Sequence, residues 1–150
     1  MNKAWSGFYE EDVYTKIFKQ YDIKNRLKPN MIIYGEVVGD GIQKGYTYGC
    51  GKGEHKLYVY DIKVDGKYLD VKEFLETCKE LGLETVPVCG IFPYTDELPN
   101  IYLKLNPISK EINEGVVIKP LKERIGGCGR VVLKYINPEY LLNKNNSDHH

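Results

Sequence analysis

Residues 56–82 constrain the fold of this chain more than any other stretch. Lys56 to Ile62 alternates so that Tyr58, Tyr60 and Ile62 share one face of a strand. Asp65-Gly66 then supplies the left-handed conformers that a two-residue type I′ turn requires, and Tyr68-Leu69 begins the return. Asp70 stands as an N-cap with Glu73 three residues on, Val71, Phe74, Leu75, Cys78 and Leu81 recur at helical spacing, and Gly82 closes the helix. A hairpin feeding directly into an amphipathic helix points to an α+β fold, with a mainly antiparallel sheet and two or three helices.

The flanking segments extend this plan. Val13, Tyr14, Ile17, Phe18 and Tyr21 predict an amphipathic helix from Glu10 to about Lys24, with acids early and lysines late. Ile32 to Val38 predicts a strand with Tyr34, Glu36 and Val38 on one face, and Thr85 to Ile91 an edge strand interrupted by Pro87. Residues 93–110 read as loop with one helical turn around Ile101 to Leu105, 121–129 as loop, and Arg130 to Ile136 as a strand. The expected organisation is one domain over 1–142 and a disordered polar tail over 143–150.

Three strands carry charge in an unusual way: Ile32-Ile-Tyr-Gly-Glu-Val-Val38, Glu114-Gly-Val-Val-Ile-Lys-Pro120 and Arg130-Val-Val-Leu-Lys-Tyr135. A carboxylate within a strand is unfavourable unless a cation meets it. Lysines aimed at one cavity with carboxylates nearby suit a polyanionic ligand whose charge is shared between protein and a divalent metal. Tyr60 adds an aromatic face for a base. The plainer reading makes Glu36, Glu114, Lys119 and Lys134 ion pairs or solvated strand residues. Glu114 and Lys119 are five apart, so either Gly115 marks a bend or Glu114 precedes the strand.

Balanced charge, with 21 basic and 21 acidic residues, excludes a global field that would draw the chain to nucleic acid or membrane. Its apolar runs fall short of the roughly 20 residues that span a bilayer, so a soluble, cytoplasmic protein is expected. Cys50, Cys78, Cys89 and Cys128 lack metal-ligand spacing and read as free thiols, with Cys78 in the core; no metal ligands are assigned. Gly39-Asp-Gly-Ile-Gln-Lys-Gly45 and the glycines at 49, 51 and 53 allow either turns or close approach to a ligand.

In order, Tyr34-Gly-Glu-Val-Val-Gly39, Tyr58-Val-Tyr-Asp-Ile62, Glu114-Gly-Val-Val-Ile-Lys119 and Val132-Leu-Lys-Tyr-Ile-Asn137 resemble motifs III, IIIa, IV and V of the covalent nucleotidyltransferases. The Gly39-x-Gly-Ile-Gln-Lys44 loop and the Asn137-Pro-Glu-Tyr-Leu141 ending are most similar to ATP-dependent RNA ligases. The resemblance covers residues from about 5 to 142 and implies part of a nucleotidyltransferase adenylation domain. It implies that Glu36 and Glu114 contact nucleotide and metal, that Tyr60 stacks on adenine, and that Lys119 and Lys134 meet the phosphate and assist its transfer. ATP or AMP and Mg²⁺ are the implied cofactors, and RNA 5′-phosphate and 3′-hydroxyl ends the implied substrates.

Two departures qualify the likeness. Ile136 stands where many relatives have a second motif V lysine. No Lys-x-Asp/His-Gly of motif I precedes motif III. Lys63-Val-Asp-Gly66 has those letters, but it follows motif IIIa inside the hairpin, where turn chemistry explains it. The sequence therefore resembles the later portion of a ligase domain, either truncated or complemented by another chain that carries the nucleophilic lysine of motif I. The alternative is a non-catalytic nucleotide- or RNA-binding module of the same fold. Self-association through an exposed sheet edge is a further expectation.

Overall fold

The structure is a computed structural model that describes residues 12–103 and 110–147, with side chains as far as residue 142. Helix α1 (Val13–Gln20) starts where Asp12 caps it, accepting the Thr15 N–H at 3.0 Å and the Thr15 hydroxyl at 2.8 Å. It stops earlier than the apolar spacing predicts. Asp22 takes the left-handed conformation at φ 48°, and a separate turn, α2 (Ile23–Arg26), follows. The expected start at Glu10 lies outside the described residues.

Strand β1 (Met31–Gly39) pairs antiparallel with β2 (His55–Val64), and the hairpin returns through β3 (Lys67–Tyr68). Asp65 at φ 50° and Gly66 at φ 78° make the expected turn. One local expectation fails inside β2. The register steps from Tyr34 opposite Asp61 to Gly35 opposite Val59, which leaves Tyr60 as the extra residue of a bulge. Tyr60 and Ile62 therefore do not simply share a face; instead Val59 and Ile62, 0% and 1% exposed, both enter the core. Alternation could not reveal this, because an extra residue resets its phase.

Helix α3 (Val71–Leu81) covers that side of the sheet. Phe74 and Cys78 join Ile23, Val59, Ile62 and Leu83 in one apolar cluster, and burial pushes the Cys78 thiol up to about 11. Gly82 closes α3 in the left-handed conformation, and Arg26 caps its end by donating to the carbonyls of Leu81 and Gly82, each at 2.8 Å. Asp70 has the extended backbone of an N-cap, but its carboxylate makes no capping bond. It accepts the backbone N–H of Glu123 at 2.7 Å and so tethers a distant loop to the start of α3.

Thr85 to Ile91 does not form a full strand. Val59 and Thr85 make one parallel bridge, with Val59 N–H on the Glu84 carbonyl at 2.8 Å and Val86 N–H on the Val59 carbonyl at 2.9 Å, before Pro87 ends the donors. A short helix, α4 (Leu98–Tyr102), stands at the expected helical turn but begins earlier, and residues 104–109 lie outside the described region.

Strand β4 (Gly115–Ile118) pairs with β7 (Leu133–Ile136), while β5 (Ile125–Gly126), in the segment expected to be loop, pairs with β6 (Gly129–Arg130), so the strand expected from Arg130 to Ile136 is broken before Leu133. Glu114 thus precedes its strand, which resolves the two readings of that stretch. Gly115, at φ +157°, is required: a Cβ there would lie 2.2 Å from the Tyr135 carbonyl oxygen. Helix α5 (Pro138–Ser147) starts at the Asn137 side chain, which accepts the Glu139 N–H at 3.1 Å, with proline in the first turn. This helix runs past Asn143, into the segment expected to be disordered, because a capped and nucleated helix propagates through residues that could not start one.

The observed fold is the expected α+β class, with antiparallel pairing throughout the named strands and helical segments beyond the two or three anticipated. No helix among the described residues is long and apolar enough to cross a membrane.

Candidate functional site

One side of the β1–β2 sheet packs on helices; alternation and register put Tyr34, Glu36, Asp61 and Lys63 on the other. Residues flanking β4, with others from β6 and β7, reach that second face and build two charged groups upon it.

The first group centres on Asp61, which is only 8% exposed. Lys119 donates to its Oδ1 at 2.8 Å, and Arg130 donates to both its oxygens, at 2.7 and 2.8 Å. Burial opposes ionisation of Asp61, but the bonds from Arg130 and then Lys119 outweigh it and hold the carboxyl below its ordinary range. Arg130 also grips Glu123 at 2.8 and 2.5 Å, and its guanidinium lies 3.6 Å from the Tyr68 ring centroid. Bonds to Asp61 and Glu123 keep it firmly charged. Lys119 makes one further bond, to the Tyr60 carbonyl at 2.6 Å. The bulge that offers this carbonyl leaves the Tyr60 side chain 39% exposed.

The second group gathers Glu36, Glu114 and Lys134. Burial raises the Glu36 carboxyl above its ordinary value, the Glu114 charge raises it further, and Lys134 partly offsets both. Glu114 is placed by the turn before β4, where the Asn113 side chain accepts the Gly115 N–H at 3.0 Å and the Asn137 N–H donates to the Glu114 carbonyl at 2.8 Å. Its carboxylate accepts the phenol of Tyr48, from the glycine-rich loop between β1 and β2. Tyr140 from α5 sits close by, accepting from the Gln43 side-chain amide at 2.9 Å, and the Tyr46 ring meets it edge-on at 5.6 Å.

The structure therefore brings Glu36, Glu114 and Lys134 into one electrostatic neighbourhood. It places Lys119 and the Tyr60 backbone together in another. Lys134 lies opposite Val117, and Lys119 follows two residues later on the same chain, so the lysines belong to adjoining parts of one face. Sequence reasoning missed Asp61, Arg130, Tyr48 and Tyr140 as parts of the site. Asp61 carried a signal, a second charge within a strand, whereas Tyr48 and Tyr140 are distinguished only by contacts across the fold.

Lys63, in the stretch with the letters of motif I, holds its ammonium 4.5 Å from the Tyr68 ring centroid and 5.8 Å from that of Tyr34. An open cleft of about 470 Å³ lies beside α1 and is lined mostly by apolar residues such as Tyr14, Ile17, Phe18 and Ile33, although Glu36 reaches it. Among the described residues no group of three or more histidine, cysteine, aspartate or glutamate side chains is placed to hold a metal. Glu36 and Glu114 are two carboxylates of the kind that could join phosphate oxygens and water around a Mg²⁺ ion.

The RNA ligase family model matches residues 3–136. No curated protein and no solved structure gives a significant match. The chain belongs to the RNA ligase family.

Proposed function

We propose that this chain binds an adenine nucleotide on the charged face and serves in adenylate-dependent joining of RNA ends. The observation that carries the reading is the convergence of charged residues from β1, β2, the two ends of β4, β6 and β7 on one side of the sheet, with Glu114 and Lys134 both acting on Glu36. In this reading Glu36 and Glu114 hold Mg²⁺ and the nucleotide, Tyr60 offers its exposed ring to adenine, and Lys119 and Lys134 meet the phosphates. Bound Mg²⁺ would offset charge at the phosphates as they are transferred.

The chemistry of the reading is a sequence of phosphoryl transfers. A lysine amine attacks the α-phosphorus of ATP and releases pyrophosphate, the AMP passes to an RNA 5′-phosphate, and an RNA 3′-hydroxyl displaces AMP. The protein's part is to fix the groups and neutralise developing charge. Asp61 aids this by fixing Lys119 against the Tyr60 carbonyl, so that the lysine's position is set before ligand arrives. We place the nucleophile outside these 150 residues, whether on the same polypeptide or on another, rather than on Lys63, whose ammonium is held over Tyr68.

The engagement of Lys119 by Asp61 favours a second reading, a nucleotide- or RNA-binding module without catalysis. Labelled ATP separates the two. With Mg²⁺ and a partner carrying Lys-x-Asp/His-Gly, the first reading expects a covalent AMP adduct on the partner, and the second expects binding without transfer. An adduct on Lys63 would overturn the assignment of the nucleophile.

A further inference from the structure

The loop from Asp40 to Glu54 bends sharply at a bulky residue. Tyr48 has φ +53°, a region that aromatic side chains occupy only where surrounding contacts enforce it. Behind it, the Glu111 carboxylate accepts the Thr47 N–H at 2.7 Å, the Thr47 hydroxyl at 3.0 Å and the Tyr48 N–H at 3.1 Å. In front, the phenol donates to Glu114, while Gln43 Oε1 lies 3.4 Å away. A phenol has one proton, and the carboxylate is the stronger acceptor. The Tyr46 ring packs beside it, with centroids 6.1 Å apart.

This arrangement has a use because Glu114 and Glu36 repel each other. Lys134 answers part of that charge, and the Tyr48 hydroxyl aims one Glu114 oxygen away from free rotation.

We propose that Tyr48 is a positioning residue for the nucleotide–metal site: its phenol holds Glu114 beside Glu36 in readiness for a magnesium-bound triphosphate, and Glu111 latches the loop that carries it. This rests on the nucleotide-binding reading above. It extends that reading to a residue in the loop, which acts on the metal-bound ligand through Glu114.

Titration calorimetry of the full chain with ATP, in Mg²⁺ and separately in EDTA, tests it on wild type and Tyr48→Phe. Loss of one hydrogen bond to a charged group predicts about tenfold weaker Mg·ATP binding in the variant. Binding of metal-free ATP should change less than about twofold, and the thermal midpoint should stay close to wild type. Equal loss in both titrations would show a merely structural role and overturn the proposal. Unchanged Mg·ATP affinity, in a wild type that binds, would also overturn it. A wild type that binds neither form removes the nucleotide reading itself and the proposal with it. Should Tyr48→Phe fail to fold, Glu111→Ala, which releases the loop and keeps the phenol, must show the same magnesium-selective loss; full affinity there would refute the latch.

Discussion

Replacing Asp61 by asparagine removes one charge from a buried cluster of two cations and two carboxylates while keeping the side-chain shape. The wild-type carboxylate is 8% exposed and accepts from Lys119 at 2.8 Å and from Arg130 at 2.7 and 2.8 Å. Stripping one partner from a buried ion pair costs about 3–5 kcal/mol. Glu123 continues to neutralise Arg130, and the asparagine oxygen still accepts one bond, so Asp61→Asn should cost about 2–3 kcal/mol. That is a fall of about 5–10 °C in thermal midpoint for a chain of this size. The pH dependence gives an independent signature. The folded carboxyl lies below its ordinary value of 3.8, so its contribution is complete above that value and fades as pH falls through the lower folded one. Urea unfolding of both proteins at about pH 7 and about pH 3 should show the difference shrinking in acid. A variant within about 0.5 kcal/mol of wild type at pH 7 would refute the claim that Asp61 anchors Lys119 and Arg130 to the sheet.

Four other perturbations probe separate links. Gly115→Ala drives a Cβ to 2.2 Å from the Tyr135 carbonyl oxygen, so β4 must part from β7; a loss of about 2 kcal/mol or more, read by urea unfolding, should accompany faster exchange of the strand amides. Ile62→Ala empties a site only 1% exposed, and a loss of about 3 kcal/mol in the same assay is expected. Tyr60→Ala should leave unfolding nearly unchanged while weakening adenine-nucleotide binding in calorimetry by about 1–3 kcal/mol. Glu36 has a raised carboxyl, so its folded form favours the proton, and stability present below the ordinary value of 4.5 is lost as pH rises through the folded value. Glu36→Gln should therefore unfold no more easily than wild type at neutral pH, yet bind Mg·ATP more weakly.

Much of the fold was legible because local chemistry decided it. Asp65-Gly66 requires its turn, the α3 spacing requires its buried face, and Pro87 limits pairing wherever it stands. What escaped was set by contacts distant in the chain. The bulge at Tyr60 shifts the phase of β2 with only Gly35, on the partner strand, to mark it, and Asp70 abandons capping because the Glu123 backbone competes for its carboxylate. The site was legible as a set of charged strand residues, but not in its grouping. Lys119 and Lys134, similar by position in their strands, have different companions because Asp61 is buried beneath one and Glu36 lies near the other. Arg130 was hidden since a strand-initial arginine usually meets solvent, whereas here a short β5–β6 hairpin turns it inward over Tyr68.

The central claim is that the charged face holds a magnesium-bound adenine nucleotide. Calorimetric titration of the purified chain with Mg·ATP tests it most directly, with Glu114→Ala measured beside the wild type under the same conditions. Saturable binding at one site per chain, lost in the variant while its thermal midpoint is retained, is the predicted result. No saturable binding up to about 1 mM, an affinity of only about −4 kcal/mol, or equal binding by both proteins, would contradict the account.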